Sequence, residues 1–376
     1  MDQGPGAARD GALIFSLPDF PWDSLAGPAA RAREHPGGIV DLSVGTPVDP
    51  VPDKLRAALA SVSDRAGYPT THGTPELRQA AVEALSRRYD VGGVPADAVL
   101  PTIGSKELVA WLPTLLGVGA GDLVVIPELA YPTYEVGALL ARASVIRTDG
   151  LTALGPQRPS IIWLNSPSNP TGRVLPVAHL RKVVAWARER GAIVVSDECY
   201  LSLGWDVEPV SVLHNSVNEG SLDGIIAVHS LSKSSSLAGY RAGFITGDSG
   251  LVASLLEIRK HAGMIVPRPV QEAMTAALSD DDHVNVQRSR YEARRTVLRS
   301  ALLDAGFQID HSEAGLYLWA TRGEDAWTTV SWLAERGILV APGTFYGPTG
   351  GSHVRVALTA TDERVAAAAE RLRSSG

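Results

Sequence analysis

The chain has 376 residues, 45% of them hydrophobic, with 34 Lys+Arg against 41 Asp+Glu for a formal charge of −7. This excludes a general binder of nucleic acid or anionic membrane, since both need a basic surface, while the length suffices for two domains around a large core. The one cysteine, Cys199, excludes an internal disulfide and fits a cytoplasmic protein, and neither a signal-peptide core nor a run of ~20 apolar residues for a membrane span occurs.

In chain order, residues 1–12 read as a flexible leader, and FSLPDFPW at 15–22 is too proline-rich for a helix or a central strand, so residues 1–38 are expected to form an extended arm. The apolar run 39–44 reads as a strand that ends at Gly45-Thr46-Pro47, where the missing Cβ of Gly45 lets another group approach closely. Gly67-Tyr68-Pro69 is a turn. Thr74 caps a helix with Pro75 in its first turn, and Leu77, Ala80, Ala81, Ala84 and Leu85 form its apolar face.

From about residue 104 to 245 apolar strands alternate with helices, the signature of an α/β domain with a largely parallel sheet. The strands are expected at 123–126, 144–147, 160–164, 192–196, 225–229 and 242–246, with a helix at 176–190. After about residue 263 come an Arg-rich helix at 284–305, half-buried strands at 315–320 and 353–358, and a terminal helix at 362–373. The expected division is therefore an arm (1–38) packed on the smaller domain, a large α/β domain (39–270) and a smaller α+β domain (271–376).

In such sheets ligands bind beyond the carboxyl ends of the strands. Three neighbouring ends carry polar residues: Asn165, Asp197 and Ser230. Beyond Ser230 the string HSLSKSSSLAGYRAG places Lys233 beside Ser230, Ser232 and Arg241. A lysine held at the end of a buried strand loses hydration, which favours the neutral amine that attacks a carbonyl. The hydroxyls and the guanidinium suit a phosphate, so a phosphorylated aldehyde such as pyridoxal phosphate fits. The Ser-x-x-Lys spacing also occurs in penicillin-binding acyltransferases, but those expect S-D-N and K-T-G, and neither string is present. A serine-rich loop with a solvated lysine is the plainer alternative; the three polar strand ends favour a pocket.

Asp197 heads Asp-Glu-Cys-Tyr200, where a carboxylate aimed at a pyridine nitrogen keeps that nitrogen protonated, although a capping role is equally ordinary for it alone. Tyr200 and Asn169 are candidate donors to the ring's phenolate oxygen. Gly247-Asp248-Ser249-Gly250 is a loop after a strand, Gly117-Val-Gly119-Ala-Gly121 precedes its strand and so is no dinucleotide fingerprint, and the nine histidines show no metal-ligand spacing.

With NSPSNPTG, SDECY and SLSKSSSLAGYRAG in this order, the chain from about 42 to 372 resembles the fold-type I, class I/II pyridoxal-phosphate (PLP) aminotransferases. The resemblance implies that Lys233 bonds the cofactor's aldehyde and then serves as the base that moves the substrate proton, and that Asp197 partners the pyridinium. It places Asn169 and Tyr200 on the phenolate oxygen, with Asn165 and Ser232 also in the cofactor site. Ser230, Arg241 and the turn Gly104-Ser105-Lys106 match the phosphate cup. Tyr131 matches the aromatic residue stacked on the ring, and Tyr68 the residue that reaches the phosphate of a second subunit, implying a homodimer with shared active sites. Arg355 matches the two-pronged clamp on the substrate α-carboxylate, with Gly45 and Asn169 nearby. Lys106 stands where the family more often has a neutral residue, and Cys199 lies inside the Asp-Glu-x-Tyr signature. The outer strings SLPDFPWDSLAG and VDLSVGTPVDPVP resemble the succinyldiaminopimelate transaminases of actinobacteria. That implies amino transfer between glutamate and N-succinyl-2-amino-6-oxopimelate, an amino acid and a 2-oxo acid of a lysine-forming route. Lys106, Arg173 and Arg268 are the candidate cations for the extra carboxylates. The alternatives within this chemistry are an aspartate-, aromatic- or alanine-type aminotransferase and a C–S β-lyase.

Overall fold

The proline-rich arm is not wholly extended. In the computed structural model, which describes residues 17–373, Pro21–Leu25 forms one 3-10 turn that leads into a helix, Ala26–Arg33. Pro21 is compatible with that turn because a first-turn N–H has no helical partner to lose. The leader expected at 1–12, and the first two residues of FSLPDFPW, lie outside the described residues. The run expected as a strand at 39–44 contracts to β1 (Val40–Asp41), which pairs in parallel with Ile338–Leu339 near the C-terminus.

The central sheet is built from β2 (Val99–Ile103), β3 (Leu123–Ile126), β4 (Ser144–Arg147), β5 (Ile161–Asn165), β6 (Ile193–Asp197), β7 (Ile225–Ser230) and β8 (Ala242–Gly247). Their spatial order is β2-β8-β7-β6-β5-β3-β4. Strands β3 to β7 run parallel, as expected, while β8 runs antiparallel to β7 and β2 antiparallel to β8. The reversal has a simple cause: residues 231–241 are too few for the helical crossover that a parallel connection needs, so the chain turns back directly. That turn carries Lys233. Strand β2, which is not among the expected strands, carries a proline in Val-Leu-Pro-Thr-Ile, and a sheet tolerates one at its edge, where β2 lies.

Alternate residues of β5 to β7 serve two cores. Ile162, Leu164, Val194 and Ala227 pack with helices Pro75–Tyr89, Val177–Arg190 and Arg268–Leu278. Trp163, Val195, Ile226 and Val228 pack with helices Gly104–Leu115, Thr133–Leu140 and Ser249–Ala262. Burial on both faces accounts for the continuous apolar runs. The Gly247-Asp248-Ser249-Gly250 string is a helix start, with Asp248 Oδ1 accepting from the N–H groups of Gly250 and Leu251 at 2.8 and 3.1 Å.

A third core gathers the C-terminal residues around a four-stranded sheet of β9 (Gln308–Asp310), β10 (Tyr317–Thr321), β12 (Ala341–Pro342) and β13 (Val354–Ala357), ordered β12-β13-β10-β9, with β11 (Ile338–Leu339) as the partner of β1. The half-buried alternation expected here is replaced by burial of every residue of β10 and β13. Helices Asp282–Asp304 and Asp362–Arg373 contribute to this core, and Trp319 on β10 is covered by Tyr346 and by the His353 ring stacked at 4.9 Å. Leu25, Ala29, Val40 and Leu42 share the same core, whereas Arg268–Leu278 lies with the central sheet. No helix among the described residues is long and apolar enough to cross a membrane.

Candidate active site

Strands β5, β6 and β7 lie side by side, and Asn165 is in register with Asp197. Their carboxyl ends open on a cavity of about 630 Å³ whose lining includes Gly45, Ser105, Lys106, Tyr131, Asn165, Asn169, Asp197, Tyr200, Ser230, Ser232, Lys233, Arg241 and Arg355. Gly104 lies against Arg241 just behind it. Tyr68, Arg173 and Arg268 do not line this cavity. Tyr68 is 98% exposed, and Arg173 borders a different, apolar cleft 3.9 Å from Asp149.

The Lys233 side chain is half-buried, and its ammonium donates to the Gly45 carbonyl. Burial, with Arg355 and Arg241 adding like charge, brings its pKa down to about 8. Two more carbonyls of the same segment are held nearby: Ser43 O accepts from Arg355 Nη2 at 2.6 Å, and Val44 O from the Thr359 hydroxyl at 2.9 Å. The expected close approach at Gly45 is by Tyr317, whose hydroxyl would lie 2.2 Å from a Cβ there.

Asp197 is buried and accepts from the Tyr134 hydroxyl at 2.7 Å and the Cys199 N–H at 3.2 Å, with no cationic side chain among the described residues paired to it. Burial raises its pKa. Asn165 spends its polar atoms on the chain: its amide donates to Asp197 O at 2.9 Å and Pro167 O at 3.2 Å, and its oxygen accepts from Asn169 N at 2.7 Å. It therefore shapes the loop that presents Asn169. Asn169 Oδ1 accepts from Arg355 Nη1 at 2.9 Å.

Arg355 is 2% exposed, lies 3.9 Å from the centroid of the Tyr317 ring, and has no carboxylate partner among the described residues. A buried guanidinium without a counter-ion is a ready acceptor for an anion. Tyr200 and Tyr317 share a hydroxyl–hydroxyl hydrogen bond of 3.0 Å. At the exposed mouth, Lys106 sits over the Phe20 ring at 5.1 Å. Its pKa is lowered by partial desolvation and by the neighbouring Arg241. Gly104 begins the helix Gly104–Leu115 with φ +71, and a Cβ there would lie 2.3 Å from Arg241 Nη2.

Four residues that sequence reasoning missed belong to this site: Tyr134, Tyr317, Phe20 and Trp22. Tyr134 shares the Tyr-Pro-Thr-Tyr string with Tyr131 and stacks on Trp163 at 4.7 Å. Tyr317 is the diagonal neighbour of Arg355 across the β10–β13 pair, a relation that strand register makes visible only once the pairing is known. Phe20 and Trp22 come from the arm.

These residues fit a phosphorylated pyridine aldehyde: a desolvated amine, a buried carboxylate with no cationic partner among the described residues, and a helix start beside Arg241 for a dianion. Bound there, pyridoxal phosphate supplies the electron sink that stabilises negative charge at the substrate α-carbon. Among the described residues no group of three His, Cys, Asp or Glu side chains is placed to hold a metal ion.

The mixed, mostly parallel sheet with Lys233 beyond its strand tips defines a PLP-dependent enzyme of fold type I. The chain belongs to the aminotransferase class I and II family, whose model matches residues 38–372. It is 64% identical over 382 residues to a probable aminotransferase, Rv1178, of Mycobacterium tuberculosis, covering 98% of this chain and 91% of that protein. It is 58% identical over 356 residues to the 4-dedimethylamino-4-oxo-anhydrotetracycline transaminase OxyQ of Streptomyces rimosus, covering 95% and 99% of the two chains. Among solved structures, a probable N-succinyldiaminopimelate aminotransferase from Thermus thermophilus superposes with a TM-score of 0.84 at 28% identity, over 94% of this chain and 100% of that one.

Proposed function

We propose that this PLP-dependent aminotransferase moves an amino group between glutamate and N-succinyl-2-amino-6-oxopimelate. The observation that carries the reading is that, besides Arg241 at the helix start, the cavity holds two cations that no carboxylate of the described residues neutralises, Arg355 in its depth and Lys106 at its mouth. Arg355 takes the α-carboxylate in a two-pronged pair and Lys106 a distal one. Arg173 and Arg268 have no part in this reading. The structural likeness to the Thermus protein supports it.

In this reading Lys233 bonds the cofactor and then carries the proton from the substrate, Asp197 holds the ring nitrogen charged, and Asn169 and Tyr200 donate to the phenolate oxygen. Ser230, Ser232, Arg241 and the Gly104–Lys106 amides hold the phosphate, and Tyr131 covers the ring. Tyr68, exposed in a single chain, reaches the site of a second copy in a cytoplasmic homodimer. The arm and the C-terminal core act as the smaller domain against the larger one.

The aromatic walls contributed by Phe20, Trp22, Tyr131 and Tyr317 favour a second reading, a flat ketone acceptor, which the similarity to the Streptomyces transaminase also supports. A panel of amino donors and 2-oxo acids, followed by the absorbance of the bound cofactor, decides between them. The first reading expects glutamate and succinylated diaminopimelate to convert the cofactor to its amine form. If neither does while aspartate or an aromatic donor does, the substrate assignment is wrong; release of pyruvate and ammonia identifies a lyase instead.

A further inference from the structure

Glu198 follows Asp197, and the alternation of an extended chain turns its side chain to the opposite side of the strand tip. There a small void of about 30 Å³ is bordered by Glu198, His229, Ser230, Ser234, Ser202 and Tyr89. Cys199 and Ser230 border both this void and the larger cavity. His229 is 5% exposed, its ring stacks on Phe244 at 4.8 Å, and its Nε2 is buried with no hydrogen-bond partner.

The Nε2 lies 3.9 Å from Glu198 Oε2, too far for a direct hydrogen bond. Glu198 is otherwise well served. Its Oε1 accepts from Ser196 Oγ at 3.0 Å and Val212 N at 2.7 Å, and its Oε2 from Ser211 Oγ at 2.7 Å, which leaves Oε2 a free lone pair. The pair is not ionic: burial brings the imidazole down to about 3 and the carboxyl up to about 7, so the histidine is neutral at neutral pH. Of the other groups facing the void, Tyr89 is held neutral by burial, and Arg88 is engaged by Asp281 at 2.5 Å and by the carbonyls of Ala277 and Asp280.

A void needs only ~10–15 Å³ and two or more polar partners to hold a water, and both conditions are met. We propose that one ordered water fills it, bridges His229 Nε2 to Glu198 Oε2, and makes these two side chains positioning residues for the cofactor site. The reason is their place in the chain. Glu198 is joined to Asp197 and His229 to Ser230, and Glu198 N donates to Val228 O at 2.9 Å. Beyond that backbone bond the two strand tips diverge into different loops. A side-chain bridge behind them sets the spacing between Asp197 and the turn that carries Lys233. This inference rests on the reading of the larger cavity as the PLP site.

The test compares the PLP-loaded wild type with His229→Phe, which keeps a ring against Phe244 but offers no polar atom. High-resolution crystal structures are expected to show one water within hydrogen-bond reach of both atoms in the wild type and none in the variant. Kinetics are expected to show kcat lowered roughly tenfold, the scale for losing an outer partner of a site residue, with KM for the amino donor changed less than about twofold. The pH titration of the cofactor's absorbance is expected to shift, and His229→Gln, which restores a polar atom, is expected to recover most of kcat. Glu198→Gln, which keeps an acceptor for Val212 N–H, carries the same kinetic and titration readouts if the phenylalanine variant does not fold. A dry void in the wild type, or variants with wild-type kcat and titration, overturns the proposal. The water is read in the crystal whether or not PLP is taken up, so failure of the cofactor reading is separable from failure of this one.

Discussion

Replacing Arg355 by lysine keeps a positive charge in the cavity but removes the planar fork. The native guanidinium is anchored by Asn169 Oδ1 at 2.9 Å and Ser43 O at 2.6 Å, which aims its remaining N–H groups. A lysine ammonium contributes a point charge and cannot reproduce both anchors and a two-pronged bond to a carboxylate. Losing one hydrogen bond to a charged group costs about 1.5–3 kcal/mol. At about 1.4 kcal/mol per factor of ten, kcat/KM for an amino acid donor falls roughly 10- to 150-fold. Arg355→Met removes the charge as well, with a loss of about 2–5 kcal/mol, or roughly 30- to 4,000-fold. The assay is the single-turnover reaction of the PLP form with a series of donor concentrations, which separates apparent affinity from the limiting rate. The loss is expected chiefly in apparent affinity. A primary amine lacking a carboxylate serves as control and reacts equally slowly with the wild type and both variants. If the folded lysine variant handles every donor within about twofold of the wild type, Arg355 does not read the carboxylate.

Three further outcomes are expected. Because burial holds the Lys233 amine at about 8, the ammonium form dominates below that pH, and uptake of PLP by the cofactor-free protein is expected to quicken about tenfold per pH unit up to about 8 and level above it; a flat profile in a reconstitution time course refutes this. Gly104→Ala forces a Cβ to within 2.3 Å of Arg241 Nη2 at φ +71, so PLP affinity measured by equilibrium titration is expected to fall roughly tenfold or more, given a strain of about 1–3 kcal/mol. Asp281 binds Arg87 and Arg88, and those hydrogen bonds hold its carboxyl well below the usual range. Its stabilising contribution is therefore present above the unfolded carboxyl pKa of about 4 and lost as pH falls through the folded value. Urea unfolding is expected to find Asp281→Asn less stable by about 1 kcal/mol at pH 7, with the gap closing in acid.

The residues that sequence reasoning located best are those that chain-local chemistry fixes. Asn165, Asp197 and Ser230 end apolar runs, and a strand tip is recognisable without knowledge of its neighbours. Gly45 was legible as a place of close approach, but not Tyr317 as the group approaching, because the two meet across 272 residues of chain. The antiparallel course of β8 follows from the brevity of the preceding turn, a count that an apolar pattern alone does not prompt. Alternation at 353–358 suggests a solvated face because His353 and Arg355 are polar; in the fold the guanidinium is packed on Tyr317 and the imidazole on Trp319, so polarity does not mean exposure. Arg173 and Arg268 carry the right charge but do not line the cavity, since charge holds no information about which loop faces it.

The run from Ser43 to Gly45 is tethered at every carbonyl. Two soft dihedrals per residue would let successive carbonyls turn independently, but here Arg355, Thr359 and Lys233 grip them in turn. Lys233 and Arg355 thus hold opposite ends of one short backbone segment, so in the roles proposed for them a substitution at one is expected to be felt at the other.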